Sequence, residues 1–143
     1  MKHAIRAFFD HYADVFRQGL EGQVDETVTT QLYTSEFIAA GAMGVRTGKN
    51  DADLIRFITD GYAHYRAIGT KDMTIRGVHV HPIDAAHALA RVEWRACYER
   101  ADLAPVAVDF EVSYLLQLTG PTPQIFGWIA GDEQGTLRAH GII

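Results

Sequence analysis

The sequence predicts an α+β fold in which a curved, mainly antiparallel sheet wraps around three N-terminal helices, with a short helix at the C-terminus. Apolar residues recur at helical spacing in the first half of the chain and alternate with polar residues over long stretches of the second half. Gly and Pro mark the boundaries between these segments. Helices grouped first and strands grouped last are typical of α+β proteins, not of alternating α/β proteins.

Two helices are predicted at the N-terminus. The first covers residues 2–18 and ends at Gly19, since glycine commonly follows the last residue of a helix. Its apolar stripe consists of Ile5, Phe8, Phe9, Tyr12 and Val15. The second is predicted from Val24, Val28 and Leu32, which follow one another at intervals of four residues. Neighbouring threonines lower the helix propensity of this segment.

A short strand and a third helix follow. Residues 37–40 predict the strand, and three glycines then predict turns: Gly41, Gly44 and Gly48. Asn50 followed by Asp53 resembles a capping box that opens the third helix, which Gly69 ends. The apolar stripe of this helix consists of Leu54, Ile58, Tyr62 and Tyr65.

The second half of the chain changes to a period of two, which indicates half-buried strands. Four strands are predicted, over residues 74–83, 87–100, 106–118 and 124–130. Turn residues separate them, beginning with Pro82 and Asp84. The last segment predicts a short helix capped by Asp132, with Gly141 near its end.

Composition excludes several classes of protein. The 143 residues predict a single domain over 1–143, and 48% hydrophobic with 22% charged residues is ordinary for a globular protein. The net charge is −5 without a basic run, which argues against a nucleic-acid partner. No apolar run reaches the ~18 residues of a membrane span, and no signal peptide is evident, so we expect no membrane partner and a cytoplasmic protein. The single cysteine, Cys97, can form no intramolecular disulfide.

The whole pattern resembles the NTF2-like superfamily, and within it the SnoaL-like proteins. The resemblance lies in AFFDHYADVFRQG on the first helix, in VTTQLYTSEFIAAGAMGVRTGKN, and in the strand meander that ends with IFGWIAG. It implies a conical pocket between the helices and the concave face of the sheet. It also implies that the outer face of the sheet forms a homodimer. Relatives include isomerases, dehydratases, hydrolases and non-catalytic binding modules, so the fold does not name a reaction.

The ketosteroid-isomerase branch of this superfamily offers a specific comparison. Its tyrosine on the first helix corresponds to Tyr12, and its aspartate base falls on Gly41, which has no side chain. Its third catalytic position, an aspartic acid, falls near Val112 or Ser113, neither of which is an acid. The resemblance therefore disfavours a steroid-isomerase mechanism.

Other acids are candidates because of strand alternation. Val92, Trp94 and their neighbours at even positions share one face, whereas Glu93 lies on the other with Arg95. On the next strand, Asp109 and Glu111 share the polar face. A buried carboxylate of this kind has a raised pKa and can act as a general base. If the polar faces point to solvent instead, the same acids form surface ion pairs.

A metal site is not expected. His79 and His81 lie two residues apart on a predicted strand and so point to the same side. Two imidazoles make only part of a site, because a metal needs at least a third protein ligand and no acid completes the pattern. We expect neither a metal nor a cofactor.

The predicted ligand is a small apolar or amphipathic molecule in an apolar pocket with tyrosine hydroxyls as anchors. The candidate pocket residues are Tyr12, Phe16, Tyr33, Phe37, Met43, Tyr62, Trp94, Tyr98, Tyr114 and Trp128. Three functions stay open: a non-catalytic ligand-binding protein, a cofactor-independent lyase, isomerase or hydrolase that uses Asp109, Glu111 or Glu93, and a homodimeric interaction module.

Overall fold

The computed structural model describes residues 1–143 and confirms the predicted α+β class. Four helices are present: α1 (Lys2–Leu20), α2 (Glu26–Gln31), α3 (Ala52–Ala67) and α4 (Glu133–Ala139). Six strands are present: β1 (Tyr33–Gly41), β2 (Gly44–Lys49), β3 (Thr70–Pro82), β4 (His87–Arg100), β5 (Leu103–Gln117) and β6 (Gln124–Ala130). None of the helices is both long and apolar enough to cross a membrane.

The six strands form one sheet in the order β2-β1-β6-β5-β4-β3. Strands β3 to β6 are an antiparallel meander, in which each strand pairs with the one before it in the chain. Only β1 departs from this pattern, because it pairs in parallel with β6, with Ile38 opposite Gly127. The first strand of the chain is thereby placed beside the last.

Helix α1 extends past the glycine that was predicted to end it. It continues to Leu20, and Gly19 is buried inside its last turn. The ring of Tyr62 on α3 lies directly against Gly19, so that a β-carbon at this position would overlap it. Gly19 is therefore explained by the close approach of two helices. Gly69, in contrast, follows α3 with φ +89°, the left-handed conformation in which a helix-ending glycine is expected.

The prediction for residues 37–49 was wrong in extent. The first strand covers Tyr33–Gly41, and the glycine-rich segment after it forms a second strand, Gly44–Lys49, paired antiparallel with β1. Strand β2 lies at the edge of the sheet and buries neither face, as the 71% exposure of Val45 illustrates. A strand without a buried face has no apolar alternation, which is why the sequence pattern indicated only turns.

The alternation of β4 is reproduced in its burial. The side chains at its even positions, from Ala88 to Tyr98, are all buried, and those at the odd positions between them are half-exposed. The buried face supports α1, whose Ile5 and Phe9 are fully enclosed. Towards the C-terminal half of α1 the helices stand away from the sheet, and a cavity opens between them.

Candidate functional site

The cavity has a volume of about 640 Å³ and lies between the helices and the inner face of the sheet. Of its 27 lining residues, 18 are hydrophobic. This size and apolar character are typical of sites that bind small molecules. Aromatic rings form much of the wall: Tyr12, Phe16, Tyr33, Phe57, Tyr62, Tyr65, Trp94, Phe110, Tyr114 and Trp128.

Three tyrosines from separate elements contribute to this mainly apolar wall. Tyr12 comes from α1, Tyr33 begins β1, and Tyr114 lies on the inner face of β5. The rings of Tyr12 and Tyr114 are 5.8 Å apart, and the indole Nε1 of Trp94 donates a hydrogen bond to the Tyr114 hydroxyl at 3.2 Å. These tyrosines recur on separate elements that share the cavity, so the fold itself assembles the cluster.

Tyr12 is at the centre of the cluster. Burial raises the pKa of Tyr12, and hydrogen bonds from the Tyr33 and Tyr114 hydroxyls lower it, which only partly offsets the burial. Burial raises the pKa values of Tyr33 and Tyr114 further, and in both the hydrogen bond to Tyr12 adds to the rise. The Tyr12 ring also packs against Trp94, with centroids 5.8 Å apart, so Tyr12 lies between the aromatic side chains of the sheet and the cavity.

A second polar group in the wall has no partner in the protein. The hydroxyl of Thr29, on α2, is buried, with the residue only 2% exposed, and makes no hydrogen bond. A buried hydroxyl without a partner costs about 1–3 kcal/mol. Thr29 belongs to the cavity wall, but its hydroxyl oxygen is enclosed by protein and does not face the cavity.

Seven of the ten predicted pocket residues line the cavity. They are Tyr12, Phe16, Tyr33, Tyr62, Trp94, Tyr114 and Trp128. Their role in ligand binding stays a prediction, because no ligand contact tests it. Each lies on the buried side of its helix or strand, as expected from the periodicity.

The other three predicted pocket residues lie elsewhere. Met43 is 89% exposed in the two-residue turn between β1 and β2, so its assignment to the pocket wall was wrong. Phe37 does not line the cavity, but its ring stacks on that of Trp128, with the two ring centroids 5.2 Å apart. Tyr98 is buried in the core but does not reach the cavity. An apolar side chain in a short loop has no neighbouring element to cover it, which explains Met43.

The three predicted catalytic acids point away from the cavity. Glu93 is 3.3 Å from His79, and Arg95 binds Asp109 through both carboxylate oxygens. Glu111 receives a hydrogen bond from Arg91 at 2.8 Å. These groups form ion pairs on the outer face of the sheet, so of the two orientations that the sequence left open the structure has the outward one, which contradicts the alternative of a base in the pocket. Asp109 and Glu111 are among the residues that border the cavity, but each of their carboxylates forms an ion pair with an arginine on the outer face.

The Arg95 contact also perturbs Asp109. The hydrogen bond from Arg95 holds the pKa of this carboxyl below its usual range, with a smaller contribution from Arg76. An acid stabilised as an anion in this way is a poor proton acceptor at neutral pH.

The other strand histidine, His81, lies near the N-terminus of α1, and no three His, Cys, Asp or Glu side chains converge to hold a metal.

One carboxylate does face the cavity, and the sequence analysis missed it. Glu133 begins α4, and the Tyr65 hydroxyl donates a hydrogen bond to its Oε1 at 2.9 Å. Both residues line the cavity. A signal was present, because Glu133 precedes Leu137 by one helical turn and Leu137 is buried in the core. The buried face of α4 therefore carries Glu133 towards the interior.

Comparison with protein families gives one match. A family model described as "NTF2-like protein (DUF6841)" matches residues 2–133. Comparison with curated proteins gives no match. Gly41 ends β1 and is not among the residues that line the cavity.

Solved structures with the same fold are numerous. An NTF2-like protein with a cystatin-like fold from Novosphingobium aromaticivorans superposes with a TM-score of 0.69 at 15% identity, over 99% of this chain and 88% of that one. A ketosteroid isomerase-like protein from Erwinia carotovora atroseptica gives 0.62 at 15% identity, over 92% and 95%. The beta subunit of benzoate 1,2-dioxygenase from Burkholderia mallei gives 0.64 at 13% identity, over 93% and 91%. At such identities the likeness is one of fold alone.

Proposed function

Because the chain belongs to the NTF2-like family DUF6841, we propose that it binds a small, largely apolar molecule in the cavity beneath α1. In this proposal a ligand oxygen accepts a hydrogen bond from the Tyr12 hydroxyl. The observation that carries the proposal is the mainly apolar cavity with Tyr12, Tyr33 and Tyr114 in its wall. The Tyr12 ring packs against those of Trp94 and Tyr114, with centroids 5.8 Å apart in each pair, which holds Tyr12 in place before a ligand arrives and reduces the ordering cost of binding.

The chemistry of the wall supports a ligand with a flat, apolar body. Aromatic rings favour offset or edge-on contacts with other rings, and Trp94 and Trp128 bring such surfaces to β4 and β6, the two strands that flank β5. The ketosteroid isomerase-like relative supports the same class of ligand by analogy of fold. The steroid-isomerase reaction is not part of the proposal, since Gly41 provides no base.

A matched pair of probes tests the role of Tyr12. We expect 2-acetylnaphthalene, which has a carbonyl acceptor, to bind about fivefold more tightly than 2-ethylnaphthalene, since a neutral hydrogen bond contributes ~1 kcal/mol. Tyr12→Phe should remove this preference and leave the binding of 2-ethylnaphthalene unchanged. Quenching of the fluorescence of Trp94 and Trp128, which line the cavity, measures both affinities.

The control is Tyr98→Phe, which removes a buried hydroxyl that does not reach the cavity. It should leave the preference for the ketone intact. Equal affinity of the two probes for the unmodified protein would exclude Tyr12 as the anchor. Failure of both probes to bind would refute the proposal that the cavity binds a small apolar molecule.

We also propose that the outer face of the sheet forms a homodimer. Four apolar side chains adjoin one another on this face and define an outer apolar patch: Ile38, Val45, Leu115 and Ile129. Gly127 lies between Leu115 and Ile38, so the patch is flat at its centre. A flat apolar patch beside a ladder of mutually neutralised ion pairs suits a second copy of the same surface.

Sedimentation at micromolar concentration tests the dimer. We expect the unmodified protein to sediment as a dimer and Ile129→Lys to sediment as a monomer, because the lysine would place a charge in the apolar patch. Ile83→Lys introduces the same charge at an exposed isoleucine in the β3–β4 turn and should leave the dimer unchanged. A monomeric unmodified protein would refute the proposal.

A further inference from the structure

The charges around the cavity are all of one sign. Among its lining residues are four acids and no Lys, Arg or His. Three of the acids already have partners: Asp109 and Glu111 bind arginines on the outer face, and the Asp132 carboxylate accepts from the backbone N–H of Gly135 at 3.0 Å. Only Glu133 is turned to the cavity, and its negative charge has no Lys, Arg or His within ion-pair distance.

Glu133 is held in a defined position. Its backbone belongs to the first turn of α4, which Leu137 and Ile142 fix to the core. Its Oε1 accepts the hydrogen bond of the Tyr65 hydroxyl at 2.9 Å. Burial is the main cause of the raised pKa of Tyr65, and the negative charge of Glu133 raises that pKa further. One hydrogen bond does not satisfy a carboxylate, which has about four acceptor sites on its two oxygens. The second oxygen is free to accept a donor from within the cavity.

The surroundings of this carboxylate suit a cation. The rings of Phe16, Tyr62 and Tyr65 lie together beside it, with Phe16 and Tyr65 centroids 5.5 Å apart. The faces of aromatic rings attract an ammonium group, and the attraction increases when the site is shielded from water. An anion would meet the negative charge of Glu133 here, without a Lys, Arg or His in the cavity wall to offset it.

We propose that the cavity selects a molecule with a protonated amine at one end of an apolar, aromatic body, and that Glu133, oriented by Tyr65, binds the amine. This inference rests on the proposed function and specifies its ligand class. The amine interacts with the Glu133 carboxylate, and the oxygen acceptor of the same ligand class interacts with Tyr12. Carboxylic acids of similar shape are excluded by charge.

Three naphthalenes of similar shape test this selection at neutral pH: 2-(aminomethyl)naphthalene, 2-ethylnaphthalene and 2-naphthoate. We expect the amine to bind about tenfold more tightly than the ethyl compound, which corresponds to ~1.4 kcal/mol, because hydrogen bonds to charged groups are stronger than those between neutral groups. The naphthoate should bind more weakly than either. Glu133→Gln should lower the affinity for the amine about tenfold and leave that for the ethyl compound unchanged.

The matched control is Asp60→Asn, which removes one negative charge from an exposed position on α3 and should change none of the affinities. Glu133→Lys provides a second test, since it should invert the order so that the naphthoate binds more tightly than the amine. Thermal melts establish that each variant is folded.

The outcomes separate this inference from the proposed function. Equal binding of the amine and the ethyl compound, or an unchanged amine affinity in Glu133→Gln, would overturn the role of Glu133 while leaving the cavity as a binding site. Failure of all three probes and of 2-acetylnaphthalene would instead overturn the proposed function.

Discussion

Replacing Phe9 with alanine is expected to lower the free energy of unfolding by about 4 kcal/mol. The Phe9 side chain is fully buried on α1, and its ring lies 4.8 Å from that of Tyr114 and 6.0 Å from that of Tyr12. Its loss would leave a void between α1 and the sheet that the surrounding strands cannot fill. Denaturant unfolding measures the change, which corresponds to a fall in melting temperature on the order of 10 °C.

The control for Phe9 is a phenylalanine on the surface. Phe57 on α3 is 66% exposed, so Phe57→Ala removes the same atoms without opening a core void. We expect it to change the free energy of unfolding by less than ~0.5 kcal/mol. If both variants lost similar stability, the core between α1 and the sheet would not be arranged as described.

The tyrosines are expected to resist ionisation until the protein unfolds in alkali. All six of them have a pKa raised above 10.0, and burial is the first cause in each: Tyr12, Tyr33, Tyr62, Tyr65, Tyr98 and Tyr114. A group that holds its proton more tightly when folded stabilises the folded state fully below its unfolded pKa. That contribution is lost as the pH rises above about 10 towards the folded values.

Spectrophotometric titration measures this effect. The folded protein should show little tyrosinate absorbance at pH 10.0, the ordinary tyrosine pKa, whereas the protein in denaturant should be about half ionised there. Tyrosinate should then appear abruptly, together with loss of the near-ultraviolet circular dichroism. Gradual ionisation around pH 10.0 in a protein that stays folded would contradict the burial of the hydroxyl cluster.

The sequence predicts the fold where burial imposes a period. On β4 the pair Val92 and Trp94 indicates the inner face correctly, because a strand with one buried face must alternate. The same pattern could not decide whether Glu93 lies inside or outside, since alternation relates the two faces without stating which one α1 covers. In the structure Arg91 and Arg95 form ion pairs with carboxylates of β5 on the outer face of the sheet, so these carboxylates are not available as bases in the cavity.

The site is less predictable than the fold because it depends on where distant elements meet. Tyr12, Tyr33 and Tyr114 come from a helix and two strands, and only the sheet order brings their hydroxyls together. Glu133 was missed for the same reason, since its orientation follows from the docking of α4 through Leu137. Local patterns indicate that a side chain is buried but do not identify its neighbours.

The parallel pairing of β1 with β6 has a consequence for the order in which the chain can fold. Hairpins β3–β4 and β4–β5 join neighbouring segments, so they can form as soon as their own residues are available. Strand β1 must wait for β6, because Ile38 pairs with Gly127 and Tyr33 with Ile125. During synthesis the β1–β2 hairpin can form early, but it joins the rest of the sheet only after the residues of β6 have left the ribosome. A hairpin that is made before the meander is therefore added to the sheet after it.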